Sequence, residues 1–381
     1  MPRLPGAEHV YLHVPFCGRR CSYCDFAIAV RREVPVRAFI DAIMAELVTR
    51  SIEPNPELRT LYLGGGTPSK LGGDGVAELV GRLLPRLLGT GLSTYPQDVE
   101  ITVEINPEDV TAEAADAWVR AGVNRVSLGV QSFDPTVLGW MHRGHGPETA
   151  STAVQLLRRS GLTNISLDLI FALPSEQRRD WTRDLELALA LEPTHLSLYG
   201  LTVEPHTPLG RWRDRGAVDE APEERYEAEF LEAHRTLGGA GFEHYEVSNF
   251  GRPGFRSRHN SAYWTGVPYL GLGPSAHGFS AGERRWNIGA FAAWEAAVLS
   301  GADPVEGSET IGPSEATAEE VYLGLRTLAG LTVRENERKM VTSWVDQGWG
   351  VLGRDRLVLT PEGWLRLDAL AASLTSLRSH S

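Results

Sequence analysis

The sequence predicts an α/β fold: a partial, TIM-like (β/α)6 barrel over residues 1–205, then two smaller segments, 206–305 and 306–381. Two observations carry this. The first is a change of period. Strand-like runs VYLHV, TLYLGGG, VEITVEI, RVSLGVQ, ISLDLIF and HLSLYGL alternate with RAFIDAIMAELVTR, VAELVGRLLPRLL, AEAADAWVRAG, TASTAVQLLRRSG and DWTRDLELALALE. In the second set apolar residues recur at three- and four-residue spacing, as in helices that bury one face. The second observation is that every strand ends on a polar or glycine-rich group, the way a barrel builds a site at its C-terminal rim. Strand–helix repeats imply parallel strands joined by right-handed crossovers. The competing architecture is an open doubly wound sheet, and the two further repeats of a closed eight-unit barrel are not visible.

Taken in order, the first strand runs into a loop holding Cys17, Cys21 and Cys24, and the second into GGGTPS, Gly64 to Ser69. The third ends at Glu104, the fourth at Gln131; the fifth carries Asp168 and the sixth Tyr199. After residue 205 the pattern changes. A polar stretch punctuated by Pro and Gly precedes a helix in EERYEAEFLEAHRTLGGAG, and residues 245–290 are rich in Gly, aromatics and His with little periodicity. GADPVEGSETIGPSEAT reads as a linker. AEEVYLGLRTL and RENERKMVTSWVDQG read as helices, and VLGRDRLVLTPEGWLRLDAL as a hairpin, the order of a small winged-helix-like unit. From Ser308 onward there are ten acidic and eight basic residues. A unit without a basic face fits docking or capping better than DNA binding.

Composition narrows the class. Hydrophobic residues at 42% and charged residues at 23% are globular values. A net charge of −12 argues against sequence-independent nucleic-acid binding. No apolar run approaches the roughly 18 residues of a membrane span, and MPRLPGAEHV lacks a basic-then-apolar leader. The expectation is a cytoplasmic protein. All three cysteines fall in CGRRCSYC, which excludes a disulfide framework and fits a reducing compartment.

The C-x3-C-x2-C spacing suits a cubane, because each thiolate reaches a different iron of a 4Fe–4S cluster. Zinc is the alternative, with His9 or His13 as fourth ligand. Three ligands on four irons leave one iron open to a chelating small molecule. Around it, Gly64, Gly65 and Gly66 let backbone approach a ligand closely, and Thr67 offers a donor. Glu104 and Asp168 offer acceptors for an amine or ribose hydroxyls, and Arg143 pairs with a carboxylate. Against this, glycine runs are often plain turns, and plain core packing is the alternative for Tyr11 and Tyr23.

YLHVPFCGRRCSYCDF, LYLGGGTPS, VEINPE, SLGVQSFD, MHRGH and DLIFALP, in this order and spacing, resemble the radical S-adenosylmethionine superfamily, specifically its coproporphyrinogen-oxidase-like branch. The resemblance spans nearly the whole chain, and the barrel expected is that superfamily's. It implies Cys17, Cys21 and Cys24 as cluster ligands. It implies Tyr11, Tyr23, Gly65, Gly66, Thr67, Glu104, Gln131, Arg143 and Asp168 as S-adenosylmethionine contacts, with His13 less firmly tied to the pattern.

That branch holds oxygen-independent coproporphyrinogen III dehydrogenases, which decarboxylate two propionates, and haem chaperones, which bind haem and pass it to acceptor proteins. Three features align this chain with the chaperones. Phe26 stands where the dehydrogenase loop has a further cysteine. Ten residues precede Tyr11, where the dehydrogenase carries a long extension. RHNSAYW holds H-N-x-x-Y-W at His259, Asn260, Tyr263 and Trp264, similar to a haem-binding motif, with His259 as axial ligand and the aromatics over the porphyrin. The plainer reading has His259 and Asn260 satisfying loop backbone while Tyr263 and Trp264 fill a core. His277 in GLGPSAHGF is a second ligand candidate. The expectation is thus a haem chaperone with a cluster and S-adenosylmethionine, lacking dehydrogenase activity. Its partners would be haem, an acceptor haemoprotein and a reductant protein, with no nucleic acid. The alternative is the dehydrogenase itself.

Overall fold

The computed structural model describes residues 6–89 and 98–379; the first half of the stretch inspected for a leader, residues 1–5, lies outside them. Six strands lie side by side in sequence order, each parallel to the next: β1 (His9–Val14), β2 (Thr60–Gly65), β3 (Glu100–Ile105), β4 (Arg125–Gln131), β5 (Ile165–Phe171) and β6 (His195–Gly200). Helices α1 (Val36–Thr49), α2 (Gly72–Leu88), α3 (Ala112–Arg120), α4 (Pro147–Arg159) and α5 (Trp181–Ala190) make the crossovers, and α6 (Glu223–Gly239) follows β6. A doubly wound sheet must reverse its strand order to place helices on both faces. This order never reverses, so crossovers of one hand keep the helices on one side and the sheet curls as a partial barrel.

Each strand alternates accordingly. On β1, Val10, Leu12 and Val14 are wholly buried on the face toward the helices, while Tyr11 and His13 point the other way. The same period places Tyr62 and Gly64, Glu104, Ser127 and Gly129, Asp168, and Ser197 and Tyr199 inside the barrel. Parallel strands usually read as unbroken apolar runs; here a polar interior interrupts them.

The sheet has nine strands, three more than the sequence shows. β7 (Glu243–Glu246) and β8 (Asn249–Gly251) form an antiparallel pair beside β6, and β9 (Leu270–Leu272) lies parallel to β1, giving the order β9-β1-β2-β3-β4-β5-β6-β8-β7. Residues 206–305 are therefore continuous with the barrel sheet. Between β8 and β9 runs α7 (Arg258–Trp264). The first turns of the chain around β9 are held by a buried carboxylate on α1. Glu46 accepts from Arg50 (2.8 Å), Asn287 (2.7 Å), the Gly273 amide (2.8 Å) and Trp294 Nε1 (3.2 Å), while Arg50 also reaches the Gly271 carbonyl (2.7 Å). Position 271 needs glycine, since a Cβ there would lie 2.0 Å from the His277 carbonyl oxygen.

β10 (His277–Ser280), β11 (Glu283–Asn287) and β12 (Val305–Thr310) form an antiparallel sheet, with α8 (Phe291–Leu299) inserted before β12. The stretch expected as a linker is thus partly strand, and residue 306 lies within it. β12 was illegible because its side chains are almost all exposed and so carry no apolar alternation. The remainder is α9 (Pro313–Arg326), β13 (Leu331–Thr332), α10 (Arg338–Asp346), the hairpin β14 (Gly350–Leu352) and β15 (Arg356–Leu359), and α11 (Leu367–Ser379), with sheet order β13-β15-β14. The hairpin is shorter than read: LRLDAL leads into α11 rather than extending a strand. This unit is docked. Arg326 of α9 pairs with Glu246 (2.9 Å) and lies 4.2 Å over the Trp264 ring, and Leu328 N donates to Tyr245 O (3.0 Å).

Candidate functional site

The loop after β1 is pinned at its neck. Ala29 N donates to Pro15 O (2.7 Å) and Arg31 N to Cys17 O (2.9 Å), so Phe16–Cys17 pairs with Ala29–Val30. Its far side is tied to other rim segments by Ser22 N to Met141 O (3.2 Å) and Leu209 N to Ser22 O (2.8 Å). The three thiols thereby face a cavity of about 520 Å³ at the barrel rim. Tyr23, Gly66, Thr67, Glu104, Gln131, Arg143, Asp168 and Tyr199 also line it. Residues from five strand ends and the loop converge, as the alternation predicts.

The thiols are set for a cationic partner. Cys17 Sγ lies 3.3 Å from Thr67 Oγ1, and Arg143 Nη1 donates to Cys21 Sγ at 3.6 Å. Burial pushes the Cys17 thiol up and the Cys24 thiol to about 11. Such thiols ionise at neutral pH only beside positive charge, which a metal centre supplies. Among the described residues no three His, Cys, Asp or Glu side chains form a group for a single metal ion.

The glycine run works by close approach. Gly65 has φ +106°, and a Cβ there would meet the His13 ring at 2.4 Å. His13 is itself held between the Tyr11 hydroxyl (3.1 Å) and Ala27 O (2.9 Å). Glu104 accepts from Gly65 N (3.0 Å) and Tyr62 OH (2.8 Å). Burial nonetheless raises its carboxyl to about 7, and the nearby Asp168 carboxyl pushes the same way. Asp168, also raised by burial, accepts from the Ser127 hydroxyl through both oxygens (2.9 and 3.0 Å). Gln131 sits at φ +68°, next to a register shift against β5 that turns the end of β4 into the rim. Arg143 donates to Asn106 Oδ1 and Gly129 O, both at 2.7 Å, while its buried Nε has no partner. Tyr62, Asn106 and Ser127 were missed by sequence reasoning. Tyr62 and Ser127 were findable, since Tyr62 lies two residues from Gly64 and Ser127 four from Gln131, each an even number along its own strand.

A second cavity of about 1210 Å³ opens beside the first, between the barrel mouth, α7, the β10–β11 strands and helices α9 and α11. Tyr11, Gly65, Tyr263, Trp264 and His277 line it, and Phe26 and Glu104 line both cavities. Tyr11 and Gly65, expected with the rim group, thus face the larger space.

His259 and Asn260 line neither cavity. His259 is 1% exposed and stacks on Tyr62 with ring centroids 4.9 Å apart. Its Nδ1 lies 2.7 Å from Thr60 Oγ1 and its Nε2 2.9 Å from Tyr263 OH, and burial lowers it to about 3. The start of α7 explains this: Glu100 accepts from the Arg258 and His259 amides (3.1 and 3.0 Å), and Ser257 caps Asn260 N (3.2 Å). The helix is thereby locked with His259 inward and Tyr263, one turn on, at the cavity wall. The imidazole expected to bind iron is engaged on both nitrogens.

A model of the radical SAM superfamily matches residues 11–188. The heme chaperone HemW of Synechocystis is 35% identical over 372 residues, 92% of this chain and 88% of that protein. The heme chaperone HemW of Mycobacterium tuberculosis is 37% identical over 384 residues, 97% of this chain and 96% of its own. In structure, the radical SAM enzyme coproporphyrinogen III oxidase (HemN) of Escherichia coli superposes with a TM-score of 0.79 over 97% of this chain and 90% of that one, at 20% identity; this establishes the shared fold. With sequence identity sustained along nearly its full length, the chain belongs to the HemW family of the radical SAM superfamily.

Proposed function

We propose that this protein is a haem chaperone: it carries haem in the larger cavity for delivery to an acceptor haemoprotein, and holds a 4Fe–4S cluster with S-adenosylmethionine in the smaller one. The observation that carries the reading is the pair of adjoining cavities. The smaller gathers three thiols with five carboxylates, Glu104 and Asp168 among them, and two arginines, one of them Arg143; the larger is walled mostly by aromatic and aliphatic side chains, including Tyr263, Trp264, Phe279 and Tyr322. The names borne by its relatives support the cargo.

On this reading Cys17, Cys21 and Cys24 hold three irons as thiolates. When bound, the cluster supplies electrons and one open iron for chelation. Glu104 and Asp168 accept hydrogen bonds from the amine and ribose hydroxyls, Arg143 meets the carboxylate, and Gly66, Thr67 and Gln131 present backbone and polar groups, while Gly65 holds Glu104 through its amide. Tyr11 and Tyr23 pack at the edges of the site. Residues 1–205 supply the cluster barrel, 206–305 the wall bearing Tyr263 and Trp264, and 306–381 the cover over the larger cavity. Action in the cytoplasm accords with free thiols; no helix among the described residues is long and apolar enough to cross a membrane.

The test supplies anaerobically purified protein with haem and, separately, with coproporphyrinogen III. The expected result is haem bound at about one per chain, one cavity holding one porphyrin, with no decarboxylation. Turnover of coproporphyrinogen III by a protein that binds no haem would overturn the proposal.

A further inference from the structure

We infer that the axial ligand to haem in this protein is His277, and that His259 is a positioning residue behind Tyr263. This rests on the haem-chaperone reading and sharpens it.

Haem iron takes a lone pair from a nitrogen that is free and reaches the porphyrin. Three imidazoles stand at or behind the larger cavity. His13 lines it, but both of its nitrogens are engaged, with the Tyr11 hydroxyl and the Ala27 carbonyl. His259 is behind the wall and engaged with Thr60 and Tyr263. Presenting it to iron would require breaking both contacts, unstacking it from Tyr62 and unpacking the start of α7. His277 lines the cavity, is exposed, and has no side-chain hydrogen bond among the described residues.

His277 is also oriented without using a nitrogen. It opens β10 opposite Trp286 of β11, whose next cross-strand neighbour is Gly307 of β12. The His277 and Trp286 rings stack at 5.7 Å and 22°. Gly307 is what lets the indole lie flat, since a Cβ there would come within 2.4 Å of it. The row Gly307–Trp286–His277 fixes the ring plane and leaves both nitrogens available. Arg284, opposite Phe279 on the same strand pair, is the one Lys or Arg among the described lining residues, and it is already paired with Glu309 and Glu319, both at 2.7 Å. A ligand at an exposed edge suits cargo that must be handed over.

The experiment titrates haem into the wild type, His277→Ala and His259→Gln, reading the Soret band, the ferric EPR signal and the rate of haem loss to apomyoglobin. His277→Ala should shift the band and speed haem loss by about tenfold or more, the scale of one lost ligand worth upward of 1.4 kcal/mol. Added imidazole should restore the band. His259→Gln, whose amide can still bond Tyr263, should keep the wild-type band. An unchanged band and loss rate in His277→Ala, or the ligand-loss spectrum in His259→Gln, overturns the assignment while haem binding by the wild type leaves the chaperone reading standing. Absence of haem binding by the wild type overturns both.

Discussion

Glu104 should make the stability of the unloaded protein depend on pH in an unusual sense. Its carboxyl is raised from 4.5 to about 7 in the folded chain, chiefly by burial, against the pull of donors from Tyr62 and Gly65. The folded state therefore holds this proton at pH values where the unfolded chain has released it. The contribution is fully present below the unfolded value and is lost as pH rises through about 7. A shift of this size corresponds to about 3 kcal/mol. Glu104→Gln mimics the protonated acid at every pH, although its amide nitrogen cannot accept from both donors, a flat cost of about 1 kcal/mol. Urea unfolding of both proteins from pH 5 to pH 8 should show the wild type ahead at the acid end and the difference shrinking, then reversing, toward pH 8. A difference between the two that stays constant across this range would refute the argument. Bound S-adenosylmethionine, by placing an ammonium against the ionised carboxylate, should diminish the slope.

Reconstitution with iron and sulfide should give about four irons per chain, the content of a cubane, and Ser at Cys17, Cys21 or Cys24 should abolish it; tight zinc without an iron chromophore would contradict the ligand assignment. Glu46→Ala should cost about 3–5 kcal/mol, because it strands Arg50 as a buried charge. For a chain of this length that is a fall in Tm of roughly 5 °C, and a fall below about 1 °C would mean that the hub does not secure β9.

The barrel was legible because its strands are long enough for the period-two pattern to show, and because interior positions such as Glu104, Ser127 and Asp168 are polar while their neighbours are Val, Leu or Ile. β7, β8 and β9 were not. Each is three or four residues long, too short for alternation, and is held by backbone pairing and by groups far away in sequence, such as Glu46. His259 and Tyr263 stand four residues apart on α7, a helix where the plainer sequence reading had a loop. Which of the two would turn inward depends on Glu100 and Thr60, some 160 and 199 positions away, and no local pattern encodes that choice. The motif therefore leads to the larger cavity through Tyr263, while its histidine is buried behind that wall.

Phe26 brings the two cavities into one argument. It is 59% exposed and lines both spaces, so the folded chain forgoes about 1–2 kcal/mol of burial at this one ring. A flat apolar cargo in the larger cavity would cover it and recover part of that energy on binding. A thiol in its place would put a soft donor on the wall shared with the cysteine side. Glu104, the other shared residue, faces the same division from the polar side: one carboxylate bonded to the glycine edge and to Tyr62, whose ring backs His259. Glu104, Tyr62, His259 and Tyr263 form a continuous run of contacts from the smaller cavity to the Tyr263 hydroxyl at the wall of the larger one. The two chambers are joined by a run of contacts only four side chains long, in which the histidine of the motif is the third.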